Sequence, residues 1–266
     1  LLVKVKEYEV EYSNVTKLNA KFPKDLEKSI LQYAMQGKLV EQDLNDKPAQ
    51  RLIEKIQLEK ERLIKEKVIK KEKPLPQITE EEIPFDIPSS WVWVRLNDIS
   101  VYIQRGKSPK YSTVEEIPVI SQKCIQWSGF NIEPAKFIEP STLEKYDEIR
   151  LLKTNDILWN STGLGTIGRV GIYDSKFNPY DIAVADSHVT VVRTSELVDT
   201  EFIYYYLASP TIQDSIEDIA SGSTKQKELN TSTIKEILIP LPPYEEQKRI
   251  VKKINELLSV SRKLIK

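Results

Sequence analysis

Side chains suited to an anionic, hydrogen-bond-accepting ligand collect in three short stretches. Gln104-Arg105-Gly106-Lys107-Ser108-Pro109-Lys110-Tyr111 packs three cations among Gly, Ser and Pro, a turn-prone composition. Ser121-Gln122-Lys123-Cys124-Ile125-Gln126-Trp127 adds amides, a cation and an aromatic. Gln122 and Lys123 are its candidate contacts, whereas Trp127 reads as a packing residue. The third stretch places Ser223, Thr224, Lys225, Gln226 and Lys227 after Gly222. Cations of this kind neutralise phosphates, while amides, hydroxyls and forked donors reach base edges. Each stretch also fits a plain reading, as a solvated turn or a helix cap.

Two patterns invite an enzymatic reading, and neither survives its context. Gly163, Gly165 and Gly168 form G-x-G-x-x-G after the strand-like 157–159. A dinucleotide fingerprint needs a helix after the third glycine to cradle the pyrophosphate. Here alternating residues, Gly171 and then Asn178-Pro179 follow, which is the texture of a β-hairpin. The glycines are expected to shape a tight turn that lets Asn160, Ser161, Thr162 and Arg169 approach a ligand backbone. Asn178-Pro179-Tyr180 lacks the second proline of the Asn-Pro-Pro-Tyr motif of amino-methyltransferases. With one histidine, His188, and one cysteine, Cys124, neither a catalytic triad nor a zinc site is expected. His188 reads as a structural residue in or beside a strand, and Cys124 as a small core or loop residue.

The elements that would carry these residues fall into three parts. Residues 22–37 have helical spacing, with Leu26, Ile30, Tyr33 and Ala34 on one face and Gly37 as the stop. A second helix is expected over 48–73, with Ala49, Leu52, Ile53, Ile56, Leu63 and Ile64 in a stripe interrupted by Lys60. A rod with one narrow apolar stripe needs a partner. The C-terminal stripe Ile250, Ile254, Leu257, Leu258, Ser261 and Ile265 offers one, so these two helices are expected to pair as an antiparallel coiled coil. The plainer alternative packs each stripe on the domain's own surface. Between them come a proline-rich linker over 73–88 and short apolar runs at 91–96, 117–120, 156–159, 167–173 and 189–192, read as strands. Residues 201–208 and 212–219 read as short helices. The fold class expected is α+β: a small β-rich body with short helices, flanked by long ones.

Composition narrows the functional classes. In 266 residues, a hydrophobic content of 40% suffices for a packed core, and a charged content of 30% suits long solvated helices. The single cysteine excludes an internal disulfide. No apolar run of membrane-spanning length and no signal peptide is evident, so the expected location is cytoplasmic, with no membrane partner. The chain starts at Leu1 rather than Met, so an upstream piece is expected. The net charge of −1 argues against a uniformly basic nucleic-acid binder. Residues 91–240 carry 15 Lys and Arg against 20 Asp and Glu, and residues 241–266 carry 7 against 3. DNA binding would therefore need a local basic face on an acidic domain.

Residues 229–251, LNTSTIKEILIPLPPYEEQKRIV, read as a strand, a Pro242-Pro243 stop and a helix opened by Glu245 and Glu246. This stretch resembles the end of a target recognition domain in the specificity subunits of type I restriction-modification systems. FPKDLEKSILQYAMQGKLV at 22–40 resembles the start of their conserved spacer segment. IPFDIPSSWVWVRL at 83–96 resembles the start of a recognition domain, and WNSTGLGTIGR at 159–169 and GSTKQKELN at 222–230 resemble its internal signatures. The likeness spans about 22–262.

The resemblance implies a helical spacer region over 1–82, a target recognition domain over 83–241 and a second spacer helix over 242–266. It implies a non-catalytic reader of one half of a split site on double-stranded DNA. DNA methyltransferase subunits, and in the full complex a motor-nuclease subunit, would be its partners. S-adenosylmethionine is expected in the methyltransferase subunit, and no cofactor or metal in this chain. The family's usual two recognition domains are here one. The chain is either the C-terminal half of a longer subunit or a half-length subunit that forms a homodimer. In the family the position after the Gly-rich loop lies near the DNA face, which adds His188 to the contacts. A protein-protein adaptor built on a coiled coil, without DNA binding, is the alternative. The DNA target and the choice between cleavage and methylation alone are not set by the sequence.

Overall fold

The computed structural model describes residues 2–163, 165–222 and 227–263. Helix α1, Leu2–Met35, has 34 residues and is about 51 Å long at ~1.5 Å per residue. It is more than twice the helix expected over 22–37, and Pro23 lies inside it. Its end follows from local chemistry. Gly37 takes φ +69, Lys38 N donates to Tyr33 O at 3.0 Å and Gly37 N to Ala34 O at 3.1 Å. This double bond is the Schellman stop, which favours a residue without a Cβ. Helix α2, Ala49–Lys65, ends the same way, with Lys67 at φ +60 and Val68 N on Leu63 O at 2.9 Å. It therefore stops eight residues short of the expected 73.

The linker after α2 is strapped down. Arg95, 4% exposed, donates from Nε to Pro76 O (2.9 Å) and from Nη2 to Glu82 Oε1 (3.0 Å). The body follows, with twelve strands among the described residues: β1 Val92–Arg95, β2 Ser100–Arg105, β3 Tyr111–Ser112, β4 Pro118–Ile120, β5 Ile125–Gln126, β6 Gly129–Phe130, β7 Lys136–Ile138, β8 Ile157–Asn160, β9 Val170–Ile172, β10 Val184–Ala185, β11 Val189–Thr194 and β12 Leu238–Leu241. One four-stranded sheet has the order β2-β11-β8-β9, a second β10-β4-β7-β3, and β1-β12 and β5-β6 are two-stranded. Short helices α3 Thr200–Ala208, α4 Pro210–Gln213, α5 Ile216–Ile219 and α6 Thr231–Glu236 precede β12, and α7, Tyr244–Lys263, closes the described chain.

The β2-β11-β8-β9 sheet is buried on both sides, which calls for strands apolar at successive positions. Its register puts Val192 opposite Ile103 and Ile157, and these face the helical core with Trp159, Phe202 and Ile254. The alternate residues Val191, Leu158 and Tyr102 face a smaller core with Ile120, Cys124 and Tyr173. Cys124 is thus a core residue, and burial pushes its thiol pKa up.

The molecule is mixed helix and sheet, with the expected β-rich body between long helices. The helix pairing differs from the expected one. The partner of α7 is α1. A Cβ on Gly37, at the end of α1, would lie 3.3 Å from the Trp91 ring, and Glu246, at the start of α7, is beside the same indole. The two helices therefore run antiparallel. The stripe of α2 packs on the body instead: Leu52, Ile53 and Ile56 join the core of Leu96 and Ile99, and Glu59 accepts from the Ser195 hydroxyl. An apolar stripe fixes that a face is buried, not what buries it. Ile265 of the C-terminal stripe lies outside the described residues.

Candidate nucleic-acid interface

The candidate residues come from separate stretches, and the β10-β11 turn gathers many of them. Asp186, 4% exposed, accepts from His188 N at 2.8 Å and from Tyr111 Oη at 3.1 Å. Lys107 N donates to the adjacent Ala185 O at 3.2 Å. His188 is exposed and shares a 2.7 Å hydrogen bond between its Nδ1 and Thr162 Oγ1. Gln122 Nε2 donates to Thr162 O and, at 3.2 Å, to Thr162 Oγ1. Glu228 bridges to Thr162 and pairs with Arg105 at the end of β2. One polar network thus runs Tyr111, Asp186, His188, Thr162 and Gln122, and the Arg105–Glu228 pair lies beside it through the Thr162–Glu228 backbone bridge.

The Gly-rich segment behaves as a hairpin turn. β8 and β9 pair antiparallel, with Trp159 opposite Val170 and no helix after Gly168. Gly163 has φ +94, and a Cβ there would lie 3.1 Å from Gln122 Nε2. Its lack of a side chain admits the Gln122 amide. Arg169 crosses the turn, donating from Nη1 to Gln126 Oε1 (2.6 Å) and from Nη2 to Gly165 O (2.7 Å). Asn160 and Ser161 are buried rather than presented: Ser161 Oγ bonds to Thr190 Oγ1, and Asn160 Nδ2 reaches Gln122 O at 3.4 Å. Their part is to hold the turn. Asn178 is likewise held, its Nδ2 on Tyr173 Oη at 2.9 Å and its Oδ1 accepting from Tyr180 N at 3.0 Å.

Ser108, Lys110, Tyr111 and Lys123 are exposed. Among the described residues, salt bridges engage Arg105 but not Lys107, Lys110, Lys123 or Arg169. Lys107 Nζ reaches the Lys145 carbonyl and lies 5.3 Å from the Tyr146 ring centroid. Burial and then the Asp186 carboxylate raise the Tyr111 pKa, so its hydroxyl remains a donor. Lys227 Nζ donates to Glu217 O at 2.7 Å. Ser223, Thr224, Lys225 and Gln226 lie outside the described residues.

Sequence reading leaves out Lys136, Tyr146, Asp186 and Glu228, and it takes Trp127 as a packing residue. Lys136 Nζ lies 5.0 Å from the Tyr111 ring centroid across the β3-β7 pair. Trp127, expected to pack, is 58% exposed. Glu228 stood in the quoted 222–230 string, but a lone carboxylate gives no sign of its cation. The candidates do not line the cleft of about 1090 Å³ between the end of α2 and the body, which carries Arg62, Lys67, Glu148, Arg193 and Glu201. Among the described residues, no cluster of His, Cys, Asp and Glu could hold a metal ion, and no helix is long and apolar enough to cross a membrane.

Residues 88–266 match the family model of the type I restriction modification DNA specificity domain. The type I restriction enzyme EcoAI specificity subunit of Escherichia coli is 31% identical over 241 residues, 89% of this chain and 40% of that protein. The EcoEI specificity subunit of Escherichia coli is 32% identical over 247 residues, 88% of this chain and 39% of that protein. The chain thus spans about two fifths of the length of these curated relatives. The HsdS subunit of Thermoanaerobacter tengcongensis superposes with a TM-score of 0.54 at 17% identity, covering 98% of this chain and 50% of that one, a likeness of fold.

Proposed function

The chain belongs to the type I restriction modification DNA specificity family, and from that premise we propose that it reads one half of a split site on double-stranded DNA without catalysing a reaction itself. The observation that carries this reading is the convergence on the β10-β11 turn. Candidates from the 106–111 turn, the 3-10 turn at Gln122–Cys124 and the Gly-rich turn are hydrogen-bonded into one network, beside the Arg105–Glu228 pair and exposed Lys110 and Lys123. Folded protein holds donors there in fixed positions, as base readout requires. The acidic balance of the body does not oppose this, because the exposed cations are local.

The antiparallel α1-α7 pair would serve as the spacer to a second reader and as a dock for methyltransferase subunits. S-adenosylmethionine would be held by those subunits. A motor-nuclease subunit would complete a cleaving complex. The test is binding of random-sequence duplex, with and without the methyltransferase subunits. K110A and K123A should each flatten the slope of log affinity against log salt by about 0.9, the value for one phosphate contact on B-form DNA. Absence of duplex binding in either setting, or slopes unchanged in both variants, would refute the reading and leave a protein-protein adaptor.

A further inference from the structure

The β5-β6 hairpin carries a residue that the network does not use. Ile125 pairs with Phe130 and Gln126 with Gly129, leaving Trp127 and Ser128 as a two-residue turn. The base of the hairpin is fixed. Ile125 is fully buried, the Phe130 ring meets Tyr173 edge-on at 5.3 Å between centroids, and Asn131 N donates to Cys124 O at 2.9 Å. Gln126 is held on both sides, by Lys123 O at 3.0 Å and by Arg169 at 2.6 Å. The tip therefore carries a 58% exposed indole on a fixed support, next to Gln126, whose side chain bonds Lys123 O and Arg169. Trp91 and Trp159 are buried and Trp93 packs on Phe85, so this indole is set apart from the chain's other three.

We propose that Trp127 is a nucleobase contact: the hairpin tip inserts the indole at a base step of the duplex, partly unstacking it, while Lys123 and Arg169 meet nearby phosphates. This deepens, and rests on, the DNA-reading function proposed above. Three features favour a base over an apolar protein surface. The indole is single, its neighbour Gln126 is bonded to Arg169 and to the carbonyl of exposed Lys123, and Arg169 is bonded to Gly165 of the Gly-rich turn that carries Thr162. A base step opened by an inserted side chain offers a π face whatever its sequence, so the contact is tolerant of sequence, and its loss, net of the unstacking it costs, weakens binding by about tenfold. Stacking releases no counterions, so it leaves the salt slope alone. That separates Trp127 from its lysine neighbour.

The full chain is titrated with random-sequence duplex, alone and with methyltransferase subunits, while acrylamide quenching follows the accessible indole. Duplex should protect wild-type fluorescence, and W127F supplies the baseline without that indole. W127A should bind about tenfold more weakly with the salt slope unchanged, and W127F should recover most of the loss. If wild type binds duplex while its indole stays open to acrylamide and W127A binds equally well, this inference falls and the DNA-reading function stands. If methyltransferase subunits protect the indole without DNA, the hairpin is a protein dock and the inference falls. If no duplex binds at all, both fall. The quenching arm uses unmodified protein, so a folding defect in a variant cannot obscure it.

Discussion

Arg105 illustrates how an acidic domain can keep a cation in reserve for the DNA-facing surface proposed above. Its guanidinium pairs with Glu228, whose backbone forms an isolated β-bridge with Thr162 of the central network. Both side chains are partly exposed, so the pair is screened and adds little to stability. A carboxylate on that guanidinium occupies the place a phosphate would take. E228Q should therefore free Arg105, tighten binding of random-sequence duplex several-fold and steepen its salt slope by up to about one phosphate contact. Equal affinity in a filter-binding titration across salt would show that Arg105 does not meet DNA. The sequence revealed the donors at this scale because Arg, Lys, Gln and Ser crowd turn-forming residues. It did not reveal which donors are already engaged. Asn160 and Ser161 look like ligand contacts by type, yet the β8-β11 pairing buries them. Trp127 looks like a core residue by type, yet a two-residue turn leaves it outside.

At the scale of elements, the junction of α1, Trp91 and α7 is the least obvious feature. Glu246, on the first turn of α7, is 1% exposed and accepts from Gln42 Nε2 at 2.6 Å. Burial raises its pKa above the ordinary 4.5, with Gln42, the Trp91 indole and Arg249 opposing that shift. A carboxyl whose folded-state pKa is raised stabilises the fold fully below the unfolded value, and the contribution is lost as pH rises through the folded one. E246Q removes the ionisation while keeping an acceptor for Gln42. Its urea midpoint should exceed the wild-type value at neutral pH, and the gap should close as pH falls towards 4.5. A gap independent of pH would mean that Glu246 is not ionising in place. The strands at 91–96, 117–120, 156–159, 167–173 and 189–192 were legible because apolar runs of that length between turn residues have few other uses. β2 is hidden in the sequence, since Gln104 and Arg105, its last two residues, belong to a turn-prone polar stretch. β3, β5, β6 and β10 have two residues each, too few to show any period. The choice of α1 over α2 as partner for α7 depends on contacts distant in sequence, which helical spacing does not encode.

At the scale of the molecule, the β1-β12 pair decides what can be exchanged. Val92 lies opposite Leu241 and Arg95 opposite Leu238, so the body leaves the chain and returns to it side by side. Everything from 92 to 241 is thus a closed excursion, and α1 and α7 meet beneath it. The closure is incomplete in energetic terms, because α3 packs on α7 and its Phe202 meets Trp91 at 6.1 Å between ring centroids. An exchanged body must therefore bring large apolar residues at 202, 206 and 207, or the shared core is left with cavities costing about 3–5 kcal/mol per lost aromatic. With that condition met, a chimera that replaces 92–241 by the body of another family member should fold with the same helix pair. Sequencing of methylated bases in cells carrying it should show one half-site altered. The spacing between halves should be unchanged, because α1 and α7 are retained. An unaltered half-site would place base readout outside the body, and an altered spacing would remove the helix pair from the ruler role proposed for it.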